Sequence, residues 1–368
     1  MRDLPVGKLV VASGLAQLFY ACAAIRFLNE RVYAGWRIIF CQRGLEPEAR
    51  DVVDGVLKRL ASLGCEQTLI VDPECWDPEE VVGHFGVLDG LKELWIAMPH
   101  NPVERWAWKN CGGAKKVIYQ DGSGGFIPSA AVNWVWLDGF LRWKMRSFRA
   151  RIRARIGSDE RSYPWEPADL FIGFDCFSGL RCSVRSRQVQ YIPVEDPEAI
   201  AEDFGIQTVV DANPLAALQS STRPVAILID GGLSTQQWCS VDFELKVYIE
   251  VVRALLERGY LVFFKPHPKA GARVGDGLEA AISDRDFARM PQSVIPVELC
   301  VPKRDDLVVV SALSTALFTL PASHGAAART IAPSFLSEVR RVRMPGWRSA
   351  CWFGDFVART IPHFGVSD

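Results

Sequence analysis

Three short segments hold residues whose types and spacing could do chemistry, and the first is residues 115–126 (KKVIYQDGSGGF). The pattern predicts a strand that ends at Gln120, after which Asp121 opens a glycine-rich loop. A carboxylate on such a loop can act as a general base by taking the proton of an attacking hydroxyl. The same residues also fit an ordinary Asp-Gly turn. The glycines do not form G-x-G-x-x-G, so no dinucleotide site is predicted.

The second segment is residues 260–271 (YLVFFKPHPKAG), in which an apolar strand runs into Lys265, Pro266, His267 and Pro268. The two prolines lack backbone donors and fix the chain on either side of the histidine. An imidazole held there could donate a hydrogen bond to a phosphate, or protonate it as it leaves. A single histidine more often has a structural role, but this setting favours a functional one.

The third segment is residues 306–318 (DLVVVSALSTALF), where a strand ends near Ser311 and a helix begins at Ser314 and Thr315. Hydroxyls and free amides at a helix N-terminus can bind a phosphate, although plain N-capping explains the same residues. Between the second and third segments, Glu298 follows Pro296 by two residues. A carboxylate there could accept both hydroxyls of a ribose, as acidic residues do in other nucleotide folds.

The elements that must position these residues form an α/β pattern. Short apolar runs alternate with helical stretches from Leu9 to about residue 98, and again from VAILID onward. This alternation predicts β-α-β units and parallel sheets. After a turn at Gly14, an amphipathic helix is predicted to run through Phe27. We predict two Rossmann-like domains facing a cleft, residues 1–205 and 206–368, with a C-terminal tail that could cross back.

Composition excludes several classes of protein. A formal net charge of −1 gives no global field for nucleic acid, and no binding motif for it is present. Ten cysteines are scattered without C-x-x-C pairs, which indicates reduced thiols in a cytosolic protein. No apolar stretch of about 20 residues is found. We therefore predict a soluble or peripheral protein, whose N-terminus forms a strand rather than a signal peptide.

One surface segment is strongly basic. From Arg142 to Arg155 the chain reads RWKMRSFRARIRAR, with aromatic and aliphatic residues between the positive charges and no acid. Such a stretch can lie on an anionic membrane face or bind an acidic glycan. A solvated helix face explains it equally well.

Taken in order, the motifs QDG, KPHP, PVE and STAL resemble the motif set of bacterial sialyltransferases, especially capsule polysialyltransferases and lipooligosaccharide sialyltransferases. Those families carry an acidic-acidic-Gly, an His-Pro and a Ser-Ser/Thr motif on a GT-B fold. Two further segments are similar to strands of those families. One is ASGLAQLFYACAA, similar to their first strand and its loop, and the other is VAILIDGGL, similar to the strand that opens their second domain. The chain departs from the pattern at three positions. Gln120 stands at the first acidic position, Ala16 before Gln17 stands where a proline is expected, and Thr315 stands where a second serine is common.

The resemblance implies a role for each site residue. Asp121 would activate the acceptor hydroxyl, and His267 would bind or protonate the departing CMP phosphate beside Pro268. Glu298 would hold the cytidine ribose. Ser314 and Thr315 would grip the phosphate.

The predicted activity is therefore the transfer of sialic acid from CMP-sialic acid to a capsule or lipooligosaccharide glycan. No Asp-x-Asp motif accompanies these residues, so a metal-independent, inverting displacement without cofactor is expected. The partners would be a CMP-sugar, a glycan acceptor and the inner face of the plasma membrane. Two alternatives stay open: another CMP-activated 2-keto sugar such as Kdo, and a non-catalytic nucleotide- or glycan-binding component of a capsule assembly complex.

Overall fold

A computed structural model of the chain describes fourteen segments. They are residues 7–28, 33, 35–42, 47–85, 88, 90–97, 102–120, 167–179, 186–194, 197–205, 221–267, 271–290, 295–344 and 347–365. These segments build two parallel β-sheets, of seven and five strands, with helices between successive strands.

The first sheet comes from the first half of the chain. Its strands are β1 (Lys8–Ala12), β2 (Trp36–Cys41), β3 (Gln67–Val71), β4 (Glu93–Ile96), β5 (Lys115–Tyr119), β6 (Ala168–Phe174) and β7 (Ser186–Ile192). Its helices are α1 (Leu15–Leu28), α2 (Pro47–Ser62), α3 (Pro78–Phe85), α4 (Pro102–Asn110) and α5 (Pro197–Phe204), and a 3₁₀ turn covers Asp175–Phe177. Strands β1, β2, β4 and β5 are almost wholly buried, as expected of strands covered on both faces.

The second sheet comes from the second half. Its strands are β8 (Val225–Ile229), β9 (Leu261–Lys265), β10 (Phe287–Arg289), β11 (Leu307–Ser311) and β12 (Ala327–Thr330). Its helices are α6 (Val241–Glu257), α7 (Arg273–Ala281), α8 (Val297–Cys300), α9 (Ala316–His324), α10 (Ala332–Val342) and α11 (Trp347–Thr360). After α11 the chain returns to β12, where Thr330 donates to Pro362 and Phe364 donates to Thr330.

Both sheets reverse their strand order at one point. The orders are β3-β2-β1-β4-β5-β6-β7 and β10-β9-β8-β11-β12. The reversals fall between β1 and β4 and between β8 and β11, and ligands of doubly wound sheets bind outside the strand carboxyl ends at such points. The prediction of two Rossmann-like domains is therefore confirmed. The boundary predicted at residues 205 and 206 adjoins residues 206–220, which lie outside the described segments.

Helix α1 differs from the amphipathic helix that the sequence predicts. Every residue from Leu18 to Ile25 is buried, so the helix has no polar face over that span. The reason is that α1 is covered on several sides. Arg26, near its end, bonds Asp203 on α5, and Tyr20 reaches Glu298 of the second half.

The carboxyl ends of the two sheets meet. Phe177, just after β6, lies 4.9 Å from Phe318 of α9, ring centroid to ring centroid. Tyr20 of α1 bonds Glu298 of α8, and helices α5 and α8 are in contact. The segments that follow the strands of both sheets therefore form one interface between the two domains.

Candidate active site

The carboxyl edge of the second sheet brings three predicted segments together. Ile229 at the end of β8 pairs with Lys265 of β9 on one side and with Ser311 of β11 on the other. The residues that follow these three strands therefore emerge side by side. His267 stands two residues beyond β9, and Ser314 three residues beyond β11.

His267 rests on the loop that follows β8. A side-chain carbon built at Gly232 would lie 3.1 to 3.3 Å from atoms of the imidazole, so only a glycine lets the ring approach this closely. Gly232 also has a φ of +64°, a left-handed conformation that glycine adopts at little cost. The backbone N–H of His267 donates to Asp230, with 3.3 Å between nitrogen and oxygen. His267 as a whole is half-buried.

Two buried carboxyl groups organise that loop, and the sequence analysis did not single them out. Asp230 accepts the N–H of Gly232 at 2.7 Å. Glu244 of α6 accepts the N–H groups of Leu233 at 3.1 Å and Ser234 at 3.0 Å. Burial, and next the charge of Asp230, raises the pKa of Glu244. An acidic residue directly after a buried strand and before two glycines was the available signal for Asp230.

Ser314 and Thr315 lie at the N-terminus of α9, as predicted. The hydroxyl of Ser314 accepts the N–H of Ala316 at 3.2 Å, while the Thr315 side chain makes no capping bond. Leu317 and Phe318 donate their N–H groups to the carbonyls of Ser314 and Thr315. Three amides of this first turn are therefore bonded within the protein, and both hydroxyl-bearing residues are half-buried.

Glu298 lies deeper than a surface ligand would. Its side chain is 4% exposed, and it accepts the hydroxyl of Thr319 at 2.5 Å and that of Tyr20. Burial raises the pKa of its carboxyl, while these two bonds and the charge of Lys265 act in the opposite direction. Lys265 is itself buried, which lowers the pKa of its ammonium. A ribose bound here would share the carboxyl with these two hydroxyls or replace one of them.

Three of the predicted features lie outside the described residues: Asp121, Pro268 and the basic stretch from Arg142 to Arg155. Gln120, immediately before Asp121, lies at the carboxyl end of β5 and is 2% exposed. Its Oε1 accepts the N–H of Phe174 at 2.8 Å, and its Nε2 has no partner within the described part of the chain. The chain therefore enters residue 121 from the carboxyl edge of the first sheet.

A buried carboxylate lies at the carboxyl edge of the first sheet. Glu104 of α4 is 1% exposed and accepts the hydroxyl of Ser13, the residue after β1, at 2.9 Å. The N–H of Ser13 donates to Gln17 at 2.6 Å. This group spans the strand reversal between β1 and β4. The sequence gives little sign of it, because Glu104 sits in a helix that looks solvent-exposed.

An open cavity of about 810 Å³ lies elsewhere, at the amino-terminal edge of the first sheet. Its lining includes Lys115, Lys116, Asp169 and Arg187. None of the predicted site residues lines it. We place the candidate site at the carboxyl edges because the catalytic side-chain types gather there.

The described residues contain no group of three or more His, Cys, Asp or Glu side chains that could hold a metal ion. Among those same residues, no helix is long and apolar enough to cross a membrane. The cysteines described there are free thiols.

Comparison with known proteins gives one family. Residues 184–330 match the family model of the alpha-2,8-polysialyltransferases, a range that is less than half of the chain. No curated protein matches the sequence.

The resemblance to the polysialyltransferases is confirmed over this range. The matched part of this polysialyltransferase-like chain contains β8 to β12 with His267, Glu298, Ser314 and Thr315, while Asp121 precedes it. The match supports glycosyl transfer as the activity.

Solved structures with a similar course of the chain have low sequence identity. UDP-GlcNAc 2-epimerase from Neisseria meningitidis is 8% identical with a TM-score of 0.48, covering 94% of both chains. The Methanocaldococcus jannaschii enzyme of the same name is 10% identical with a TM-score of 0.47, covering 96% of this chain and 99% of its own. MurG from Acinetobacter baumannii is 9% identical with a TM-score of 0.36, covering 98% of this chain and 97% of its own. The two-domain fold rests on the sheets themselves rather than on these similarities.

Proposed function

We propose that this polysialyltransferase-like protein moves sialic acid from CMP-sialic acid to a cell-surface glycan of the capsule or lipooligosaccharide. The observation that carries the proposal is the family match over residues 184–330, the range that contains His267. The position of His267 beside the strand reversal of the second sheet supports it, because a nucleotide is expected to bind there.

The proposed reaction is a single displacement. The acceptor oxygen forms a bond to the anomeric carbon of the sugar as the bond from that carbon to the phosphate oxygen breaks, so the configuration inverts. CMP leaves with the electron pair. Asp121 takes the proton of the acceptor hydroxyl, and His267 donates a hydrogen bond or a proton to the leaving phosphate. A leaving group with one phosphate can be stabilised by such donors, so we propose that no metal ion is needed.

We assign the other donor-side residues to the same CMP site. Pro268 would fix the chain after His267, and the hydroxyls of Ser314 and Thr315 would contact the phosphate from the end of β11, which β8 separates from β9. We propose that Glu298 binds the ribose after Tyr20 releases it. The basic stretch from Arg142 to Arg155 would attach the enzyme to the inner face of the plasma membrane, close to a growing acidic glycan.

The donor is tested by supplying the full chain with CMP-Neu5Ac or CMP-Kdo, together with a capsule or lipooligosaccharide acceptor, and measuring product mass. We expect a product that carries one or more sialic acid residues. A product formed only from CMP-Kdo would replace sialic acid with Kdo as the sugar. CMP binding without any product would indicate the non-catalytic alternative.

The base is tested by Asp121→Ala. We expect turnover to fall by roughly 10²- to 10⁴-fold, the usual contribution of a general base, with CMP affinity largely kept. Asp175→Ala is the matched control, because Asp175 is an exposed carboxylate at the carboxyl end of β6 on the same sheet edge. Wild-type turnover in Asp121→Ala would exclude this residue as the base.

A further inference from the structure

The carboxylate of Asp230 joins the ends of two neighbouring strands. One oxygen, Oδ1, accepts the N–H of Gly232 at 2.7 Å and lies 3.3 Å from the hydroxyl of Tyr248. The other, Oδ2, accepts the N–H of His267 at 3.3 Å. The loop after β8 and the segment after β9 are thus held by one side chain that is 3% exposed.

The bond from Gly232 to Asp230 fixes the surface on which the imidazole rests. Gly232 lies against the ring of His267, where a side-chain carbon would come within 3.1 Å of the imidazole, and its backbone is left-handed. Any change in this loop therefore moves the surface beneath the ring. The backbone bond to Asp230 and the ring contact with Gly232 act on the same histidine from two directions.

Side chains of helix α6 accept the remaining N–H groups of the loop after β8. Its residue Glu244 accepts the N–H groups of Leu233 and Ser234, and its residue Tyr248 accepts the N–H of Gly231 at 3.2 Å. The amides of residues 231–234 are all bonded to side chains of the protein. Because these amides bond protein side chains, they do not serve to bind a ligand. The ordered loop that they form serves instead to position the groups around it.

The phenol of Tyr248 lies between the two carboxyl groups, 3.3 Å from Asp230 and 3.2 Å from Glu244. A phenol carries one proton, so it can donate to only one of them at a time. A proton on Glu244 allows a continuous chain, in which Glu244 donates to Tyr248 and Tyr248 donates to Asp230. The raised pKa of Glu244 agrees with such a proton.

We propose that Asp230, supported by Tyr248 and Glu244, is a positioning residue that sets the place and orientation of His267 for reaction with the leaving phosphate. This inference rests on the proposed function of His267. Small displacements of a reacting group can cost roughly a hundredfold in rate, so a group that holds the imidazole can control turnover without touching the substrate.

The direct test is the NMR signal of the His267 imidazole in the full chain labelled on histidine. The chain has five histidines, and His267→Ala identifies the signal by its loss. We expect Asp230→Asn to shift that signal. Tyr248→Phe should shift it in the same direction and to a smaller extent, which serves as a second variant if Asp230→Asn folds poorly. An unshifted His267 signal in both folded variants would overturn the proposal.

Turnover supplies a second readout through a double-mutant cycle. Asp230→Asn should lower kcat by roughly 10- to 100-fold with little change in donor KM. In the His267→Ala background it should change kcat by no more than about twofold, because the residue it positions is gone. Multiplicative losses in the double variant would show that Asp230 acts independently of His267.

The control is Asp203→Asn on α5. Asp203 also accepts a phenol, that of Tyr33 at 2.7 Å, together with Arg26, and both of these partners belong to the first domain. It should lower stability without shifting the His267 signal. If His267→Ala keeps wild-type turnover, the proposed function of His267 fails, whereas the NMR comparison still decides whether Asp230 positions the ring.

Discussion

At the scale of single residues, Glu298 has two possible uses for one carboxyl group. The resemblance assigns it to a ribose, and the structure occupies it with the hydroxyls of Thr319 and Tyr20. Thr319 lies on α9 of the same domain, whereas Tyr20 comes from the first domain. The bond from Tyr20 is therefore the one that a change in the distance between the domains would break first.

Tyr20→Phe separates the two uses. Removing the phenol frees one acceptor position on Glu298, so CMP should bind up to about tenfold more tightly if the ribose uses that position. The free energy of unfolding should fall by about 1 kcal/mol, the usual net value of one hydrogen bond. Calorimetric titration with CMP measures the affinity. Tyr33→Phe, which removes a phenol from Asp203, is the control, and an unchanged CMP affinity in Tyr20→Phe would assign Glu298 a structural role.

The protonation of Glu244 gives a pH-dependent prediction. Its pKa in the folded protein is raised above the ordinary value of 4.5, so the folded state holds the proton more tightly than the unfolded chain. The stability that this group contributes is present below pH 4.5 and is lost as pH rises through the folded pKa, by at most about 1.4 kcal/mol per pH unit. Glu298 has the same sign.

We therefore expect Glu244→Gln to reduce the loss of unfolding free energy between pH 5 and pH 8, measured by urea denaturation, because glutamine does not ionise. Asp306→Asn is the control: Arg304 lowers the pKa of Asp306 below its ordinary 3.8, so Asp306 stays ionised over this interval. An equally steep loss in Glu244→Gln and the wild type would argue against a proton on Glu244.

At the scale of elements, the first turn of α9 illustrates how a site and a helix cap compete for the same groups. The Ser314 hydroxyl is bonded to the N–H of Ala316, whereas the Thr315 side chain makes no such bond. Two adjacent residues with the same predicted role thus differ in what they contribute to the helix.

This difference predicts different effects of two substitutions. Ser314→Ala should lower the free energy of unfolding by about 1 kcal/mol, because a helix cap is lost. Thr315→Val keeps the side-chain shape and should change stability little, while CMP binding weakens if the hydroxyl contacts the phosphate. Thermal melts and CMP titrations of both variants provide the measurements. Full CMP affinity in Thr315→Val would remove its hydroxyl from the phosphate site.

Strands with a continuous apolar run could be predicted from the sequence, including β3 at the edge of the first sheet, whereas three other outer strands could not. Strands such as β1, β2 and β8 are continuous apolar runs, because parallel strands are covered on both faces. Strand β7 (SRQVQYI) was missed because it lies at a sheet edge and alternates polar with apolar residues, with only its last residue buried. Strands β10 (FAR) and β12 (AART) were missed because they are short and contain no continuous apolar run.

The candidate site was predictable to the extent that its residues follow strands. The positions of His267 and Ser314 after β9 and β11 were predictable in this way, since parallel strands present their carboxyl ends at one edge. The interactions of Glu298 with Tyr20, and of Asp230 with His267 and Tyr248, join residues far apart in sequence. No local pattern encodes such contacts, because they arise only when the helices pack.

At the scale of the whole molecule, aromatic rings connect the two halves. Phe318 of α9 contacts Phe177 of the first domain and lies 5.4 Å from Phe356 of α11, centroid to centroid. Phe353 and Val357 of α11 belong to the same buried cluster as residues of the first sheet. The interface therefore has an apolar centre beside the polar contact of Glu298 with Tyr20, and both would have to adjust if the cleft opens or closes.

Phe318→Ala tests whether this apolar centre couples the domains. Removing a buried phenylalanine costs about 3 to 5 kcal/mol wherever it lies, so lower stability alone would not identify an interface. Phe171→Ala is the matched control, because Phe171 is buried within the first sheet. We expect calorimetry to show two separated unfolding transitions for Phe318→Ala and one for the wild type, since each domain keeps its own sheet but loses its contact with the other. Phe171→Ala should lower the temperature of a single transition without splitting it, because the interface is kept. If both variants unfold in a single transition shifted to the same extent, the coupling between the domains does not depend on Phe318 but on the contacts around Glu298.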